Sequence, residues 1–286
     1  MTFEVLMMVL LSAAIHPFWN LLVKRENCPE RTYFLLSLGS LCLALLHALI
    51  MGYDLSVPPE AYGPIALSVV GQLIYGFALV ATYQKGDISI YYPIIRASPL
   101  FVIAASFLVF GKVYDWWVIL GILIVLAGGA MLAIQPGKAV GLDGKTLLLA
   151  VLAMCGTGIY SMADGAATQV IESPVLFFYV QISFAMIYGT VMRLQGKFHF
   201  SAMFLPMEFP SIRRSLMASS LVYASYLLIL LAYAQGGDIA LVTTVRQISI
   251  PLSVLMGGMM LKEKGMLPRF LASGVLSAGI AIALVH

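Results

Sequence analysis

The sequence has few charged residues and many long apolar runs. Only 10% of its 286 residues are Asp, Glu, Lys or Arg, whereas 61% are hydrophobic and the mean hydropathy is +0.98. A soluble domain of this length needs a polar surface that this composition cannot supply. The scarcity of charge therefore indicates an integral membrane protein whose main partner is the lipid bilayer. The formal net charge of +3 gives no sign of nucleic-acid binding.

Cysteines and the common catalytic motifs are also scarce. The three cysteines, Cys28, Cys42 and Cys155, share no motif spacing and so indicate neither a disulfide framework nor a metal site. The sequence contains no Gly-x-Ser-x-Gly elbow, no His-Glu-x-x-His pair and no phosphate loop. We therefore expect neither an enzyme nor a resident cofactor. The apolar N-terminus lacks the basic region of a signal peptide, so we expect an uncleaved first span.

Apolar segments long enough to cross a bilayer recur along the chain, since a spanning helix takes about 20 mostly apolar residues. Short polar stretches separate them and leave no room for a soluble domain of useful size. The segments predict an all-α integral membrane protein with ten transmembrane helices, at residues 3–23, 33–52, 62–83, 88–110, 115–134, 147–167, 175–194, 214–234, 239–261 and 266–285.

The chain repeats itself once, with a shift of 151 residues. Residues 81–98 recur as residues 232–249, and both copies place a Gly-Asp turn between two apolar segments. Five spans per copy is an odd number, so the second copy must enter the membrane upside down relative to the first. The sequence thus predicts two inverted five-helix repeats around a central cavity, residues 1–138 and 139–286.

Lysine and arginine are strongly biased toward one side of this arrangement. Thirteen of them fall in loops that share one face, against Lys112 alone on the other, and basic loops are typical of the cytoplasmic side. The bias predicts a multi-pass protein of the cytoplasmic (inner) membrane with both termini outside. The thirteen residues are Lys24, Arg25, Arg31, Lys85, Lys138, Lys145, Arg193, Lys197, Arg213, Arg214, Lys262, Lys264 and Arg269.

Two arginines lie inside predicted spans, Arg96 in the fourth and Arg246 in the ninth. Counting from the Gly-Asp turns at about 1.5 Å per residue puts both roughly 12 to 14 Å deep, near the middle of a hydrocarbon core about 30 Å thick. A charge there costs at least about 2.5 kcal/mol, so a functional role is the default hypothesis. The structural alternative is pairing with helix-end carbonyls or with Asp164.

Proline and polar residues accompany these arginines. Pro93, Pro99 and Pro251 interrupt the two spans, and interrupted helices are typical of transporter binding sites. Asp164 is the only carboxylate well inside a predicted span, so it and His16 are the candidates for proton coupling. The substrate-binding candidates are Arg96, Arg246, His16, Trp19, Asn20, Gln72, Tyr75, Tyr92, Tyr160, Thr243 and Gln247.

Two further features have structural explanations. Asp87 and Asp238, in the repeated turns, lie where the N-cap of the next helix belongs, and we expect them to cap those helices. Small residues four apart are suited to close helix packing or to a dimer face, so a monomer and a homodimer both remain open. These are Gly129 with Ala133 and Gly274 with Ala278.

Several short motifs together resemble the EamA family of the drug/metabolite transporter superfamily. They are the doubled five-span unit, the Gly-Asp-Ile turns, the Ala-Gly pairs at 127–128 and 278–279, Leu-Lys-Glu at 261–263 and His-Pro-Phe-Trp-Asn at 16–20. The resemblance covers the whole chain. It implies alternating access and transport of small metabolites without ATP, with spans 1, 3, 4, 6, 8 and 9 around the cavity and spans 5 and 10 as a buttress.

The chain departs from the family pattern in ways that bear on the substrate. Lys112 lies where the family usually carries an acidic residue before span 5. Small relatives that export cationic drugs carry a glutamate in the first span, where this chain has His16 and Asn20. The difference in the first span argues against cationic drug export. Family members are also described with both termini in the cytoplasm, whereas the charge bias here predicts termini outside.

The two membrane arginines make a small organic anion or zwitterion the expected substrate, bound through a carboxylate, phosphate or phosphonate group. The sequence thus predicts a secondary active transporter in which Asp164 or His16 would couple movement to protons. Two alternatives remain open. One is an amino-acid or neutral-metabolite exporter of the same fold, with the arginines in internal pairs. The other is a non-transporting component, such as a lipid-handling subunit or an intramembrane enzyme.

Overall fold

The protein is all-helical over the residues that the structure, a computed structural model, describes: 1–23, 29–85, 88–133, 143–196, 209–252 and 266–285. No strand occurs within these ranges. A short 3₁₀-helix, Arg246–Ile248, continues the tenth α-helix. In chain order the α-helices are α1 (Phe3–Val23), α2 (Pro29–Met51), α3 (Pro59–Lys85), α4 (Ile88–Ile95), α5 (Ser98–Phe110), α6 (Trp116–Ala133), α7 (Gly144–Ala167), α8 (Ser173–Leu194), α9 (Phe209–Ala234), α10 (Ile239–Val245) and α11 (Met266–Val285).

Seven stretches of these helices are long and apolar enough to cross a membrane. They are Phe34–Met51, Pro59–Thr82, Pro93–Phe110, Gly144–Ala167, Ser173–Leu194, Ile212–Ala234 and Leu267–Val285. Three shorter apolar helices, Phe3–Trp19, Trp116–Leu132 and Ile239–Leu252, coincide with the first, fifth and ninth predicted spans. The structure thus indicates a multi-pass membrane protein, and the number of ten crossings stays a prediction.

The surface of the bundle is apolar, whereas its interior carries polar groups. Ile50, Leu108 and Phe110 are 72%, 79% and 71% exposed. Ser68 and Asp164 are almost completely buried. A soluble protein would place these residue types the other way round, because large exposed apolar surfaces are unfavourable in water. The distribution is the one expected where lipid surrounds the helices.

Four helix pairs build the bundle: α1 with α9, α2 with α8, α3 with α7, and α6 with α11. Glycine lets the backbones of α3 and α7 touch. A Cβ added at Gly156 would lie 2.6 Å from the Tyr75 nitrogen and 2.7 Å from the Gly71 oxygen. Small residues at such crossings give membrane helices their close packing, because dispersion contacts must replace the hydrophobic effect there.

The α6 and α11 pair makes a second backbone contact of this kind. A Cβ at Gly128 would lie 2.6 Å from the Leu276 nitrogen, and a Cβ at Gly279 would lie 2.6 Å from the Val125 nitrogen. Each helix therefore presents a glycine to the backbone of the other. The glycines predicted for close packing do not make these contacts, because a Cβ added at Gly129 or at Gly274 would have nothing within 4 Å.

Substituting Gly156 by alanine should destabilise the protein, because the added methyl would overlap backbone atoms of α3 that cannot rotate away. Overpacking of this kind costs about 1 to 3 kcal/mol. Gly129→Ala is the matched control, since its methyl meets open space and alanine favours helix. Thermal unfolding of both purified variants in detergent measures the effect. Equal melting temperatures for the two variants would contradict the close contact of α3 and α7.

The fourth and ninth predicted spans are both interrupted, as their prolines predict. Arg96 and Ala97 form a turn between α4 and α5. Pro99 has no N–H, so the Ile95 carbonyl lacks its partner four residues along and the helix does not continue. After α10, the backbone tightens into the 3₁₀-helix that begins at Arg246. Both predicted membrane arginines therefore lie at an interruption of their helix.

Candidate functional site

A cavity of about 320 Å³ lies between α1, α2, α3, α7, α8, α9 and the two interruptions. Residues from both halves of the chain meet in its wall. Seven predicted site residues line it: His16, Trp19, Gln72, Tyr75, Arg96, Tyr160 and Arg246. A second cavity of about 50 Å³ adjoins it, and shares His16, Tyr75, Arg96, Tyr160 and Arg246 while adding Thr243 and Gln247.

Arg96 lies beside His16, with Nη2 3.4 Å from the imidazole Nε2. A guanidinium only donates hydrogen bonds, so Nε2 accepts and the neutral ring carries its proton on Nδ1. That Nδ1 is buried and has no hydrogen-bond partner among the described atoms. Trp19 contacts the imidazole edge-on, with the ring centroids 4.9 Å apart, and restricts its orientation. The cavity wall thus holds a buried N–H donor next to the Arg96 guanidinium.

Arg246 lies over the ring of Tyr226, with its Cζ 5.9 Å from the ring centroid, a distance at which cation–π attraction acts. Its Nε is buried and has no hydrogen-bond partner within the described ranges. The one ion pair found in that part of the chain joins Lys112 to Asp238, so Arg246 and Asp164 do not pair directly. A buried donor with no acceptor is rare in folded proteins and calls for a ligand or water.

Asp164 is buried behind Tyr226, and both of its carboxylate oxygens accept hydrogen bonds. Ser68 Oγ donates to Oδ1 over 2.6 Å, and the Tyr226 hydroxyl donates to Oδ2. Gln72 Nε2 in turn donates to the Tyr226 hydroxyl over 3.4 Å. The carboxylate therefore connects α3, α7 and α9. Through Tyr226, a group that can bind a proton is linked to Arg246, a group that can bind an anion.

Gln247 and Thr243 lie beside the smaller cavity. Gln247 Nε2 donates to the carbonyl oxygen of Arg96 over 3.0 Å and so joins the two interruptions. Thr243 Oγ1 donates to the carbonyls of Ile239 and Ala240, one turn back on its own helix. The Thr243 hydroxyl thus has hydrogen-bond acceptors within its own helix. Its contact with substrate stays a prediction.

Some predictions fall on parts of the chain that the structure does not describe. The side chains of Asn20 and Tyr92 lie outside the described residues. The same holds for the first Gly-Asp turn, with its predicted cap Asp87, and for the Leu-Lys-Glu motif at 261–263. Within the described ranges, no group of three or more His, Cys, Asp or Glu side chains could hold a metal ion.

Several residues that build the site were not predicted from the sequence. Ser68, the donor to Asp164, was missed, although Ser68 and Gln72 are four apart and mark one polar face of α3. Spacing on α3 could therefore have found Ser68. The apolar wall residues could not be found, because every span is rich in the same residue types. They are Leu36, Leu79, Phe184 and Val222.

The N-cap predicted for Asp238 is confirmed, since its Oδ1 accepts from the Leu241 N–H over 2.9 Å. Its other oxygen pairs with Lys112 and accepts from the Tyr114 hydroxyl over 3.3 Å. Burial acts to lower the pKa of Lys112, but the hydrogen bond and the attraction from Asp238 outweigh it and raise that pKa. The pair joins the loop after α5 to the start of α10.

Two hydrogen bonds to backbone carbonyls close the same end of the bundle. Gln169 Nε2 donates to the Tyr233 carbonyl over 3.0 Å, and the Tyr179 hydroxyl donates to the Leu55 carbonyl over 2.8 Å. These contacts tie the loop between α7 and α8 to α9, and the loop between α2 and α3 to α8. Together with the Lys112–Asp238 ion pair they connect loops from both halves of the chain.

The comparisons with known proteins support the fold and name no activity. No family model matches the chain, and no curated protein matches it. Twenty-nine chains of known structure do match. One of them, which carries only the words "Crystal structure of protein", aligns with a TM-score of 0.74 over 98% of this chain and 95% of that chain, at 16% sequence identity. At that identity the likeness shows a shared fold alone.

Proposed function

We propose that this protein is a secondary active transporter of the EamA type, in the drug/metabolite transporter superfamily, that carries a small organic anion or zwitterion. The observation that carries the proposal is the charge of the central cavity. Arg96 and Arg246 line it, whereas no carboxylate does so among the described residues. His16 Nδ1 and Arg246 Nε add buried donors without acceptors in that part of the chain. An anionic group with several oxygens would pair with the two guanidinium groups in the cavity wall.

We further propose ten spans in two inverted repeats. The contact between α6 and α11 supports this, because Gly128 packs on the Leu276 nitrogen and Gly279 packs on the Val125 nitrogen. Gly128 and Gly279 are 151 residues apart, as are Val125 and Leu276, and this is the shift of the sequence repeat. A reciprocal contact of this kind is what a two-fold relation between the repeats requires.

The interruptions fit the same relation. Arg96 and Gln247 are also 151 residues apart, and the Gln247 side chain donates to the carbonyl of Arg96. The turn at 96–97 falls on the 3₁₀-helix Arg246–Ile248 when it is moved by that shift. Helices broken at equivalent points of two repeats mark the substrate site in many secondary transporters.

The two ends of the bundle differ in a way that supports alternating access. The cavity wall includes Trp19 near the end of α1, Leu36 near the start of α2 and Leu79 near the end of α3. The opposite end is the one closed by Lys112 and Asp238. In the orientation that the basic loops predict, with the termini outside the cytoplasmic membrane, the cavity extends toward the cytoplasm and the closed end faces outward.

Uptake into vesicles that contain the purified protein tests the proposal. Thermal stabilisation first selects ligands among carboxylates, phosphates, phosphonates, amino acids and cationic drugs, because a ligand at 100 times its Kd stabilises by about 2.7 kcal/mol. We expect saturable, ATP-independent uptake of at least one anion class and none of the cations. Flux of cations alone, or catalytic turnover without flux, would contradict the proposal.

A further inference from the structure

The wall of the central cavity has two chemically different parts. One part contains Arg96, His16 and Arg246, which are shared with the smaller adjoining cavity. The other part contains the apolar side chains of Leu36, Leu79, Phe184 and Val222, which the smaller cavity does not share. A ligand that contacts both parts must combine an acidic head group with an apolar body.

Two serine hydroxyls in the cavity wall already have partners within the protein. Ser37 Oγ donates to Gln181 Oε1 over 2.8 Å, and Ser40 Oγ donates to the Ser37 carbonyl over 3.1 Å. Hydroxyls that are bonded within the protein do not need a ligand to satisfy them. This wall therefore offers mainly dispersion contacts and the removal of apolar surface from water.

Phe184 contributes to that wall an aromatic ring that is held in place by a stack of aromatic side chains. Its ring stacks on Tyr188 with centroids 5.4 Å apart and 14° between the planes, and Tyr188 stacks on Phe77 at 5.6 Å. Phe184 belongs to α8, whereas Phe77 belongs to α3, so the stack spans two helices. A ring fixed in this way is suited to pack against an aryl group or an alkyl chain.

The size of the cavity favours acids with an apolar group over small hydrophilic anions. Its volume of about 320 Å³ is at the lower end of small-molecule pockets, which run from about 300 to 1,000 Å³. An inorganic ion or a one-carbon phosphonate would fill a small part of the cavity and leave the apolar wall in contact with water. An acid that also carries an alkyl chain or one ring would cover that wall.

We propose that the ligand of this cavity is an amphipathic organic acid, with its anionic head at Arg96, Arg246 and His16 and an alkyl or aryl body against Leu36, Leu79, Phe184 and Val222. This rests on the proposed function and narrows its substrate class. Small hydrophilic anions contact the arginines without covering the apolar side chains and therefore bind more weakly.

Alkanesulfonates test the proposal, because their head group stays ionised and their chain length can be varied alone. Binding of methane- to hexanesulfonate to the purified protein in detergent is measured by titration calorimetry. We expect the affinity to rise about fourfold with each methylene until the cavity is filled, which follows from the burial of apolar groups. The matching alkylammonium ions should not bind. Equal affinity for methane- and hexanesulfonate would overturn the proposal.

Three variants connect the chain-length effect to this cavity. Arg246→Gln should weaken sulfonate binding about 10- to 150-fold at every length, because it removes a charged hydrogen-bond donor. Partition of the sulfonate into the micelle would not change with this substitution. Phe184→Ala should weaken benzenesulfonate about tenfold. Val222→Thr keeps the shape of the side chain and should weaken hexanesulfonate while leaving methanesulfonate unchanged. Phe107→Ala, on the exposed face of α5, is the control for Phe184→Ala. An unchanged chain-length effect in both wall variants would overturn the placement of the body.

The outcomes separate this inference from the proposed function. Uptake of methylphosphonate into vesicles without a chain-length effect on binding would leave the transporter standing and refute the amphipathic ligand. Binding that follows chain length without any flux of butanesulfonate would support the site and refute transport.

Discussion

Vesicles that contain the Arg246→Gln variant should take up the transported anion about 10 to 150 times less efficiently than the parent protein. That ratio corresponds to about 1.5 to 3 kcal/mol, the contribution of a hydrogen bond to a charged group. Glutamine retains polar hydrogen-bonding groups on a shorter stem but loses the charge, the attraction to the Tyr226 ring and the buried Nε donor. The measured quantity is kcat/KM for uptake, with protein content and orientation matched between preparations.

A second arginine provides the control for this substitution. Arg269 lies on the exposed side of α11, so Arg269→Gln changes the same charge away from the cavity and should leave uptake unchanged. Arg96→Gln should act like Arg246→Gln, and the double variant should fall to the rate of empty vesicles. Full uptake of every tested anion by both single variants would refute the anion site and favour the neutral-metabolite exporter.

The Asp164→Asn variant should lose the dependence of uptake on a pH gradient. One proton per transport cycle and a gradient of one pH unit give at most about tenfold accumulation, because one pH unit corresponds to about 1.36 kcal/mol. In the variant the accumulation ratio should fall to one, while exchange of substrate across the membrane at equal pH continues. The reason is that asparagine cannot take up a proton, although it can still accept a hydrogen bond from Ser68.

Two further variants distinguish the possible proton sites. Ser68→Ala removes one hydrogen bond from Asp164 but retains the carboxylate, so it should preserve coupling. His16→Gln tests the other titratable group of the cavity wall. Coupling that survives Asp164→Asn but not His16→Gln would assign the proton to His16. Coupling that survives both substitutions would show that neither group carries it.

The helices could be predicted from the sequence because hydropathy over about 20 residues is a local property. The interruptions could be predicted for a related reason, since proline removes one particular backbone hydrogen bond. The arginines stood out because a charge is rare among apolar residues, and both do line the cavity. Each of these signals is contained in a short stretch of sequence.

The contacts of those residues could not be predicted, because they depend on the rotation of each helix about its own axis. Asp164 was a candidate counter-ion for an arginine, yet its oxygens accept from Ser68 and Tyr226. Those partners lie on α3 and α9, far from Asp164 in sequence. Phe184 is one of many apolar residues, and only the packing of α8 brings it to the cavity wall. Hydrogen-bond partners and apolar walls are therefore properties of the assembled bundle.

The positions of the two arginines have a mechanical consequence. In a continuous helix, the backbone that carries a charged side chain moves only together with the rest of the helix. Here Arg96 belongs to a turn between two helices, and Arg246 begins a 3₁₀ segment. Each guanidinium is thus carried by a residue at which its helix is interrupted. An anion bound as proposed above would act directly on these interruptions, because the proposed binding residues and the breaks in the two helices coincide.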